Sequence, residues 1–585
     1  MNKPNTTMHA MINKVFPFLR WFPLNPQNLR ADLLSGITIA LLLIPQSMAY
    51  AALAGLPPYY GLYTAFLPVM FAALWGSSSH LATGPVAVVS VMTATALSTH
   101  AQMGSEHYIA LAIMMALLVG AIQLSLGLLK LGVVVNFLSH PVILGFTNAA
   151  AIIIVLLQLN KLLGVSKQSS DSFVHDIWRV IQHIPDTHML TLMMAVIAIA
   201  IMLLSKRYLP KIPGVLLAVV VTTILSWLIG FEASGGKVVG DIPPGLPSIS
   251  LPVIDFDLLN DMVVSAFFIA LLGFVESISI ARAIAVKTRS RVDPNQELIG
   301  QGVANLVGSI SQSFPVSGSF SRSALNYNTG AKTGMTSVFS ALLVLLTLLF
   351  LTPLLYHLPS AVLGAVIMVA VISLVNFNAI IHTWKVHRHD GFAAILTFAA
   401  TLFFAPKLEW GIALGASVAL GLYLYRTMKP RIAILARHPD GTMRDAIRFD
   451  LPQDKRIVVI RFDGSLYFAN ISYFEDAIIE AEASHPDAKV FLIVADGVNS
   501  VDASAEEVLT LMVERLHGNG IDVIFSGLKQ QVLEIMANAG VYEKIGENNL
   551  WPTEDMALEY IYDDLLKVPV EDAILHPANA KGESA

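Results

Sequence analysis

Cysteine does not occur in the 585 residues of this chain, and charged residues make up only 13% of it. Without cysteine the chain has no disulfide framework, no thiolate metal site and no cysteine nucleophile. A net charge of −6 with no long basic run gives no reason to expect a nucleic-acid partner. The sequence also lacks a P-loop, a zinc-ligand spacing and a nucleophile–base set. We therefore predict that the protein is not an enzyme and that it needs neither a metal nor a cofactor.

What the chain has in excess is apolar residues, which make up 55% of it, and its mean hydropathy is +0.65. Apolar stretches of membrane-spanning length follow one another from Leu33 to Tyr425, and charges become dense after Lys429. No small-residue cleavage site follows a short early apolar run, so the first span is expected to remain in place. The sequence predicts a polytopic α-helical protein of the lipid bilayer with a soluble C-terminal domain. The predicted parts are a cytoplasmic segment 1–29, a transmembrane domain 30–429, a soluble domain 430–565 and a flexible tail 566–585.

The apolar stretches divide into fourteen segments, seven in each of two halves at about 30–232 and 257–429. An odd number of spans gives the second half the opposite orientation, as in inverted-repeat transporters. The predicted segments lie near 31–54, 60–76, 85–99, 108–130, 140–163, 189–205, 213–230, 260–285, 295–313, 318–329, 335–352, 357–377, 390–405 and 409–427.

Basic residues in the loops agree with this count, because Lys and Arg collect on the cytoplasmic side of short loops. With fourteen segments, all of the basic clusters fall on one side, and both termini are predicted to be cytoplasmic. These clusters are Arg20 and Arg30; Lys206, Arg207 and Lys211; Lys287, Arg289 and Arg291; Lys385 and Arg388; and Arg426, Lys429 and Arg431.

A short motif recurs in the two halves. IALLLIPQS at Ile39–Ser47 and IALLGFVES at Ile269–Ser277 agree at five of nine positions, and Gln46 aligns with Glu276. Chance similarity between Leu-rich helices is the alternative. If the repeat is real, the two copies nominate a site, because an ionisable residue in a membrane segment is costly and usually functional.

Two interrupted segments occupy corresponding places in the halves, at Ala82–Ser90 and Phe314–Ala324. Gly84–Pro85 in the first and Pro315 with Gly318 in the second break the chain just before an apolar run. Each break predicts a half-helix whose free N–H groups point at the midplane, and two such ends form an anion site. Ordinary kinked helices packed by small residues are the alternative.

Side chains around the second break favour an oxyanion. Four serines and one arginine could supply hydroxyl donors and a fixed cation there. Arg322 could equally be a structural tether to a neighbouring helix. The side chains concerned are Ser317, Ser319, Ser321, Arg322 and Ser323.

Several motifs together resemble the SulP family of anion transporters, to which the animal solute carrier 26 proteins belong. The resemblance implies a fourteen-segment inverted repeat in which a core domain moves against a gate domain, an elevator-like form of alternating access. It also implies a C-terminal STAS domain that mediates a homodimer. The motifs are IPQSMAYA at 44–51, PPYYGLY at 57–63, TGPVAVVS at 83–90, QELIGQGVAN at 296–305 and SGSFSRSALN at 317–326.

The same resemblance implies which residues bind the substrate, mostly through their backbone N–H groups. It also implies that Glu276 is the coupling residue. The SGSFSRSALN block resembles the sulfate permeases of plants and bacteria, and it is the main reason to name sulfate. The predicted location is a bacterial inner (plasma) membrane. The residue types alone specify only a small oxyanion. The implied substrate-binding residues are Gln46, Tyr50, Gly84, Pro85, Val86, Ala87, Ser319, Phe320, Ser321 and Arg322.

The coupling ion is predicted to be a proton. The sodium-coupled bicarbonate transporters of cyanobacteria, in the same family, resemble this chain but have oxygen-bearing side chains where it has Ile280 and Phe320. A hard cation needs oxygen ligands, so proton symport of sulfate is favoured. One alternative is a static ion pair of Glu276 with Arg322 or Arg282. Other functions that remain open are a bicarbonate or C4-dicarboxylate transporter, possibly sodium-coupled, and an anion channel or STAS-linked sensor.

After Arg431 the pattern changes to alternating strands and helices. Strands are predicted at 457–462, 490–495 and 522–527, and helices near 471–483, 504–517 and 529–539. This part resembles a STAS domain, and Ser504 matches the serine that is phosphorylated in soluble relatives of that fold. The alternative role for Ser504 is a helix N-cap that forms a capping box with Glu507.

Overall fold

The computed structural model describes residues 15–133, 138–165, 173–209 and 212–581. Lys211, from one predicted basic cluster, lies outside these residues. The chain divides into two units, Met1–Ala419 and Leu420–Ala585. The division falls inside the last long helix of the apolar region, which ends at Met428.

The first half of the apolar unit is helical. Its first helix, α1 (Pro26–Leu53), begins with a proline, and the Asn25 side chain accepts a hydrogen bond from the Gln27 N–H, as is typical of a helix start. The elements that follow α1 are α2 (Tyr59–Thr64), α3 (Leu67–Trp75), β1 (Thr83–Gly84), α4 (Ala87–Leu97), α5 (Glu106–Leu128), α6 (His140–Leu157), α7 (Leu159–Leu163), α8 (Phe173–Gln182), α9 (Met189–Tyr208) and α10 (Gly214–Leu228).

The second half repeats this pattern, with a two-residue strand before its own short helix. The helix Met335–Leu346 continues as a π-helical turn, Thr347–Leu351. The elements of this half are α11 (Leu259–Thr288), α12 (Pro294–Ile310), β2 (Ser317–Gly318), α13 (Phe320–Asn328), α14 (Met335–Leu346), α15 (Ser360–Ile372), α16 (Phe377–Val386), α17 (Arg388–Phe404) and α18 (Leu408–Met428).

Each of the fourteen predicted segments overlaps one of these helices or a consecutive pair of them. Among the described residues, eight helices are long and apolar enough to cross a membrane. The pattern did not predict α8 or α16, because both are short and amphipathic. The segment predicted to end at 377 ends at Ile372, and the Asn376 side chain caps α16 by accepting a hydrogen bond from the Ala379 N–H.

The second unit contains a six-stranded sheet in the order β4-β3-β5-β6-β7-β8. The strands β5 to β8 are parallel, and β3 and β4 add an antiparallel edge. The elements are β3 (Ile432–Arg437), β4 (Met443–Asp445), β5 (Ile457–Phe462), α19 (Ile471–Ser484), β6 (Val490–Val494), α20 (Ala503–Gly518), β7 (Asp522–Ser526), α21 (Gln530–Asn538), α22 (Val541–Ile545), β8 (Leu550–Trp551) and α23 (Glu554–Tyr560).

The three predicted strands and three predicted helices of this unit are present within a residue or two of their expected bounds. The pattern missed β3 and the two edge strands, β4 and β8. The last two are only three and two residues long, too short for an alternating pattern to be recognised.

Residues 566–581 do not form a flexible tail, contrary to the sequence prediction. Ala573 and Leu575 are buried in the core on one face of the sheet, and the Leu575 carbonyl accepts a hydrogen bond from Arg437 Nε at 2.9 Å. The predicted end of the domain at 565 was therefore too early, because these turns bury only a few apolar side chains and carry no periodic signal.

The capping-box role considered for Ser504 is wrong. The N-cap of α20 is Asp502, whose carboxylate accepts a hydrogen bond from the Ala505 N–H at 2.9 Å. Ser504 is the second residue of the helix and is exposed. Its hydroxyl is therefore not used as the cap, and a regulatory role for Ser504 stays a prediction.

Candidate functional site

The two interrupted segments meet in the apolar unit. The strands β1 and β2 pair antiparallel, with Thr83 opposite Gly318 and Gly84 opposite Ser317. Each strand leads into a short helix, α4 or α13, so two helix N-termini begin close to this pairing. Gly84 has a φ of +150°, a backbone conformation that favours glycine. The break predicted at Gly84 is thus a structural requirement of the pairing.

The N-terminus of α4 offers backbone donors alone. Val86 is its N-cap and makes no side-chain capping bond. The first intrahelical hydrogen bond runs from the Ser90 N–H to the Val86 carbonyl at 3.0 Å. The N–H groups of Ala87, Val88 and Val89 precede that bond, and they carry the partial positive charge of a helix start.

The N-terminus of α13 adds side chains to its backbone donors. Ser319 is the N-cap, and its Oγ accepts a hydrogen bond from the Arg322 N–H at 3.5 Å. The hydroxyls of Ser319 and Ser321 lie 3.4 Å apart. Phe320 and Ser321 are exposed, with 64% of Phe320 accessible, whereas Ser319 is buried. This end therefore combines backbone amides with hydroxyl groups.

Arg322 is the largest fully buried side chain of the described residues. None of its three guanidinium nitrogens has a hydrogen-bond partner in the part of the chain that the structure describes. A Cβ added to Gly84 would lie 3.2 Å from Arg322 Nη2, so the guanidinium reaches across to the first break. An unpaired buried charge costs several kcal/mol, and a structural tether would have a partner. The tether considered from the sequence is not formed among the described residues.

Residues of α1 and α11 complete the site. Gln46 and Tyr50 of α1 are buried, and Gln46 Oε1 has no hydrogen-bond partner among the described residues. The Tyr50 phenol lies within electrostatic range of both Arg322 and Glu276. Tyr50 therefore lies near Arg322 of the second half-helix and near Glu276, and Gln46 lies one helical turn before Tyr50 on α1.

Glu276 is half-buried and forms no ion pair with Arg322 or Arg282 among the described residues. Arg282 is exposed on the same helix, α11. The static pair considered from the sequence is therefore absent from the described structure. Ile280, one turn after Glu276, packs in an apolar cluster with Leu81 and Ile284, so its side chain has an apolar environment.

A network of buried amide side chains is hydrogen-bonded to β1 and to the residue before β2. It was not predicted from the sequence to belong to the site. Asn305 of α12 accepts the Val316 N–H at 2.8 Å and donates to the Val316 carbonyl at 3.2 Å. It also donates to Gln123 Oε1 at 3.0 Å. Gln301, one turn earlier, donates to Thr83 Oγ1 at 2.8 Å. The signal was two amide residues four apart in an apolar helix, which places both on one face.

Two of the serines around Gly318 serve the backbone instead of lining the site. Ser317 Oγ donates to the Gly273 carbonyl at 2.7 Å, and Ser323 Oγ accepts the Ala82 N–H at 2.8 Å. Ser277, which the sequence analysis did not single out, accepts the Gly318 N–H at 2.8 Å. The expectation that all four serines donate hydroxyl groups to a ligand was therefore wrong for Ser317, whereas Ser323 accepts from Ala82 and keeps its own hydroxyl hydrogen.

Comparison with known proteins identifies the family. Residues 29–397 match the sulfate permease family, and residues 448–557 match the STAS domain. The chain belongs to the sulfate permease family. Among its relatives, probable sulfate transporter 4.2 of Arabidopsis thaliana is 35% identical over 92% of this chain and 82% of that protein. High affinity sulfate transporter 2 of Stylosanthes hamata is 31% identical over 92% of this chain and 85% of that protein.

Solved structures give the same assignment of fold. A structure of SLC26A9 superposes with a TM-score of 0.87 at 25% identity, covering 96% of this chain and 95% of that one. The transmembrane domain of the cyanobacterial bicarbonate transporter BicA has a TM-score of 0.58 at 24% identity, covering 68% and 99%. The predicted fold class, a helical membrane transporter with a STAS domain, is confirmed. Family members are transporters, so the prediction that the chain is not an enzyme is confirmed as well.

Proposed function

We propose that this sulfate permease family member carries sulfate across a membrane by secondary transport coupled to protons, with the anion bound between α4 and α13. The observation that carries the proposal is Arg322, a fully buried guanidinium without a hydrogen-bond partner among the described residues. The names of the relatives, which are sulfate transporters, support the choice of substrate.

The anion would be held by backbone N–H groups from both half-helices and by the Arg322 charge. Helix N-termini suit anions because their N–H groups are unpaired and carry partial positive charge. The planar guanidinium can donate two parallel hydrogen bonds to an oxyanion. In this proposal Gln46, Tyr50, Gly84 to Ala87 and Ser319 to Ser321 surround the anion, mostly through their backbone.

Glu276 is the proposed proton carrier. Tyr50 lies within electrostatic range of both Glu276 and Arg322, so an anion bound beside Arg322 would be near Glu276, and its negative charge would favour the protonated carboxyl. Ile280 and Phe320 offer no side-chain oxygen to a sodium ion, and Ile280 packs among apolar side chains. A sodium-coupled carrier of bicarbonate or a dicarboxylate is the outcome that the test below would reveal instead.

Alternating access is proposed to be elevator-like, with the half-helices moving as part of a core domain. Phe320 and Ser321 are exposed at one end of the site, while Val86 and Ala87 are buried at the other. Both termini are proposed to lie in the cytoplasm of a bacterium, and we propose that the exposed end of the site faces the cytoplasm too. The anion would leave or enter there in this conformation.

The STAS domain is proposed to mediate a homodimer. Its sheet has a hydrophobic core on each face, formed within the second unit, so it can fold without the membrane helices. Deleting the chain after Lys429 is expected to weaken the dimer in cross-linking experiments while leaving the membrane unit folded. A truncated protein as dimeric as the full chain would contradict this assignment.

The decisive experiment is uptake of labelled sulfate into proteoliposomes that contain the full chain. An inward proton gradient without sodium is expected to drive sulfate above its electrochemical equilibrium, and a sodium gradient at constant pH is expected to have no effect. A channel cannot accumulate its substrate, so equilibration without accumulation would contradict symport. A requirement for sodium would contradict the role given to Glu276.

A further inference from the structure

A cavity of about 360 Å³ lies on a side of α1 away from the strand pairing. It is enclosed by α1, α10 and the turns that follow α14. Its walls include Leu41 and Pro45 of α1, Val220 and Ile224 of α10, and Leu351 and Leu354 of the turns after α14. Pro45 directly precedes Gln46, so the cavity adjoins the helix that contributes to the candidate anion site.

The lining of this cavity is almost entirely apolar, and its one polar atom without a hydrogen-bond partner among the described residues is Thr223 Oγ1. Ten of its twelve lining residues are apolar and the other two are threonines. Thr347 uses its hydroxyl within its own helix, donating to the Leu343 carbonyl at 2.9 Å. Since the lining carries no charge, the cavity suits a hydrocarbon and not sulfate.

The mouth of the cavity belongs to a surface that faces hydrocarbon. The helix α10 has no charged residue, and its exposed side chains are apolar. Val220 is 46% exposed, Ile224 is 52% exposed and Leu354 is 68% exposed. α10 is shorter than the helices long enough to cross a membrane, but an uncharged helix of the apolar unit with such a surface lies against lipid. The cavity is therefore continuous with the lipid-facing surface of the protein.

We propose that this cavity binds the hydrocarbon chain of a membrane lipid. The chain would enter between α10 and the turns after α14 and pack against Leu41 and Pro45. The π-helical turn at Thr347–Leu351 forms part of the wall, and π turns inside helices are common at functional sites. A lipid chain at this place contacts the helix that carries Gln46 and Tyr50, so membrane composition would act on that helix directly.

Photolabelling of the full chain in phosphatidylcholine bilayers tests this proposal without reference to transport. A phosphatidylcholine with a diazirine in the middle of its acyl chain is expected to label residues 41–45 of α1. Val220→Trp fills the cavity and should abolish this labelling. Val221→Trp is the matched control, because Val221 is the next residue, is similarly exposed at 39% and does not line the cavity. Labelling of Trp227, which is 63% exposed on α10, should persist in all three proteins.

The proposal is overturned if residues 41–45 are not labelled in the parent, or if both tryptophan variants lose the label equally. Stronger labelling from a diazirine in the lipid headgroup would also overturn it. If Val220→Trp does not fold, Ile224→Trp replaces it, because Ile224 lines the same cavity. Since the parent has no cysteine, an intermolecular disulfide formed by Leu354→Cys would assign the cavity to a second copy of the chain and overturn the lipid assignment.

Discussion

The half-helix α4 begins with Ala87, Val88 and Val89, whereas α13 begins with Phe320, Ser321 and Arg322. Both follow a two-residue strand, and the two strands pair with each other. The N-cap of α4 makes no side-chain bond, while Ser319 caps α13. The repeat has thus kept the backbone geometry in both halves, whereas only the second half has charged and hydroxyl side chains among the first three residues of its half-helix.

The two halves therefore contribute different interactions to the proposed anion site. The first half supplies backbone donors, which no side-chain substitution removes, and it is sensitive to anything that alters its backbone. The second half supplies a guanidinium and hydroxyls, which single substitutions do remove. Gln46 and Glu276 differ in the same sense, since only the second copy can carry a proton.

Glu276→Gln makes the two repeat copies identical at this position, and we expect the largest effect from it. Accumulation of sulfate driven by a pH gradient should be lost, because an amide cannot carry a proton. Sulfate binding should persist, since Gln46 and Arg322 are unchanged. Uptake into proteoliposomes and binding to the purified protein measure the two effects separately. Undiminished pH-driven accumulation at equal protein density would refute the role of Glu276.

Arg322→Met removes the charge that distinguishes α13 from α4. The sulfate dissociation constant should rise by about 100-fold, which corresponds to about 3 kcal/mol for a charge-assisted hydrogen-bonding group. Thermal stability without sulfate should not fall, because a buried charge without a partner does not stabilise the fold. Arg282→Met, which changes an exposed arginine on α11, is the control and should bind as the parent does. Equal affinity of the two variants would place the anion elsewhere.

Asn305→Ala removes the side chain that holds Val316, next to β2. The Val316 N–H would be left buried without its acceptor, at a cost of about 2–3 kcal/mol in the free energy of unfolding. Thermal unfolding of the purified protein measures this loss. Asn328→Ala, at the exposed end of α13, should change stability little. If the two variants melt at the same temperature, the network behind the strands does not hold the second half-helix.

Gly84→Ala tests the backbone contribution of the first half. The φ of +150° is strained for alanine, and its Cβ would lie 3.2 Å from Arg322 Nη2. We expect a loss of about 2 kcal/mol in the free energy of unfolding together with weaker sulfate binding. Gly421→Ala is the control, because a Cβ there meets no atom within 4 Å. A Gly84→Ala protein with parental stability would contradict the requirement for glycine at this strand.

Ser319→Ala should have the smallest effect of the series. Its capping bond to the Arg322 N–H is long, at 3.5 Å. Removing it should lower the free energy of unfolding by about 0.5 kcal/mol, the low end for an N-cap, and should weaken sulfate binding only slightly. Val86→Ala, at the corresponding cap of α4, should not weaken anion binding because Val86 makes no capping bond. Calorimetric titration with sulfate compares them. A larger loss of affinity from Val86→Ala than from Ser319→Ala would reverse the proposed asymmetry.

Much of the fold was readable from local pattern. The fourteen apolar segments and the glycine and proline breaks at Gly84 and Gly318 follow from composition and spacing, because a bilayer demands long apolar helices whose backbone is satisfied internally. Amphipathic α8 and α16 were missed, since each is only ten residues long and lacks a continuous apolar run. The strand β8 was missed because two residues are too few to show an alternating pattern.

The repeat, the breaks and the alignment of Gln46 with Glu276 could be predicted from the sequence, because each rests on short motifs of neighbouring residues. Which polar groups already have a hydrogen-bond partner within the protein could be seen only in the tertiary structure. In that structure Ser317 and Ser323 form hydrogen bonds with backbone groups, and the Arg322 guanidinium has no hydrogen-bond partner among the described residues. The tertiary structure also places Asn305 of α12 on Val316. Hydrogen-bond partners far apart in sequence are chosen by how helices pack, and the packing of fourteen segments is a property of the whole chain.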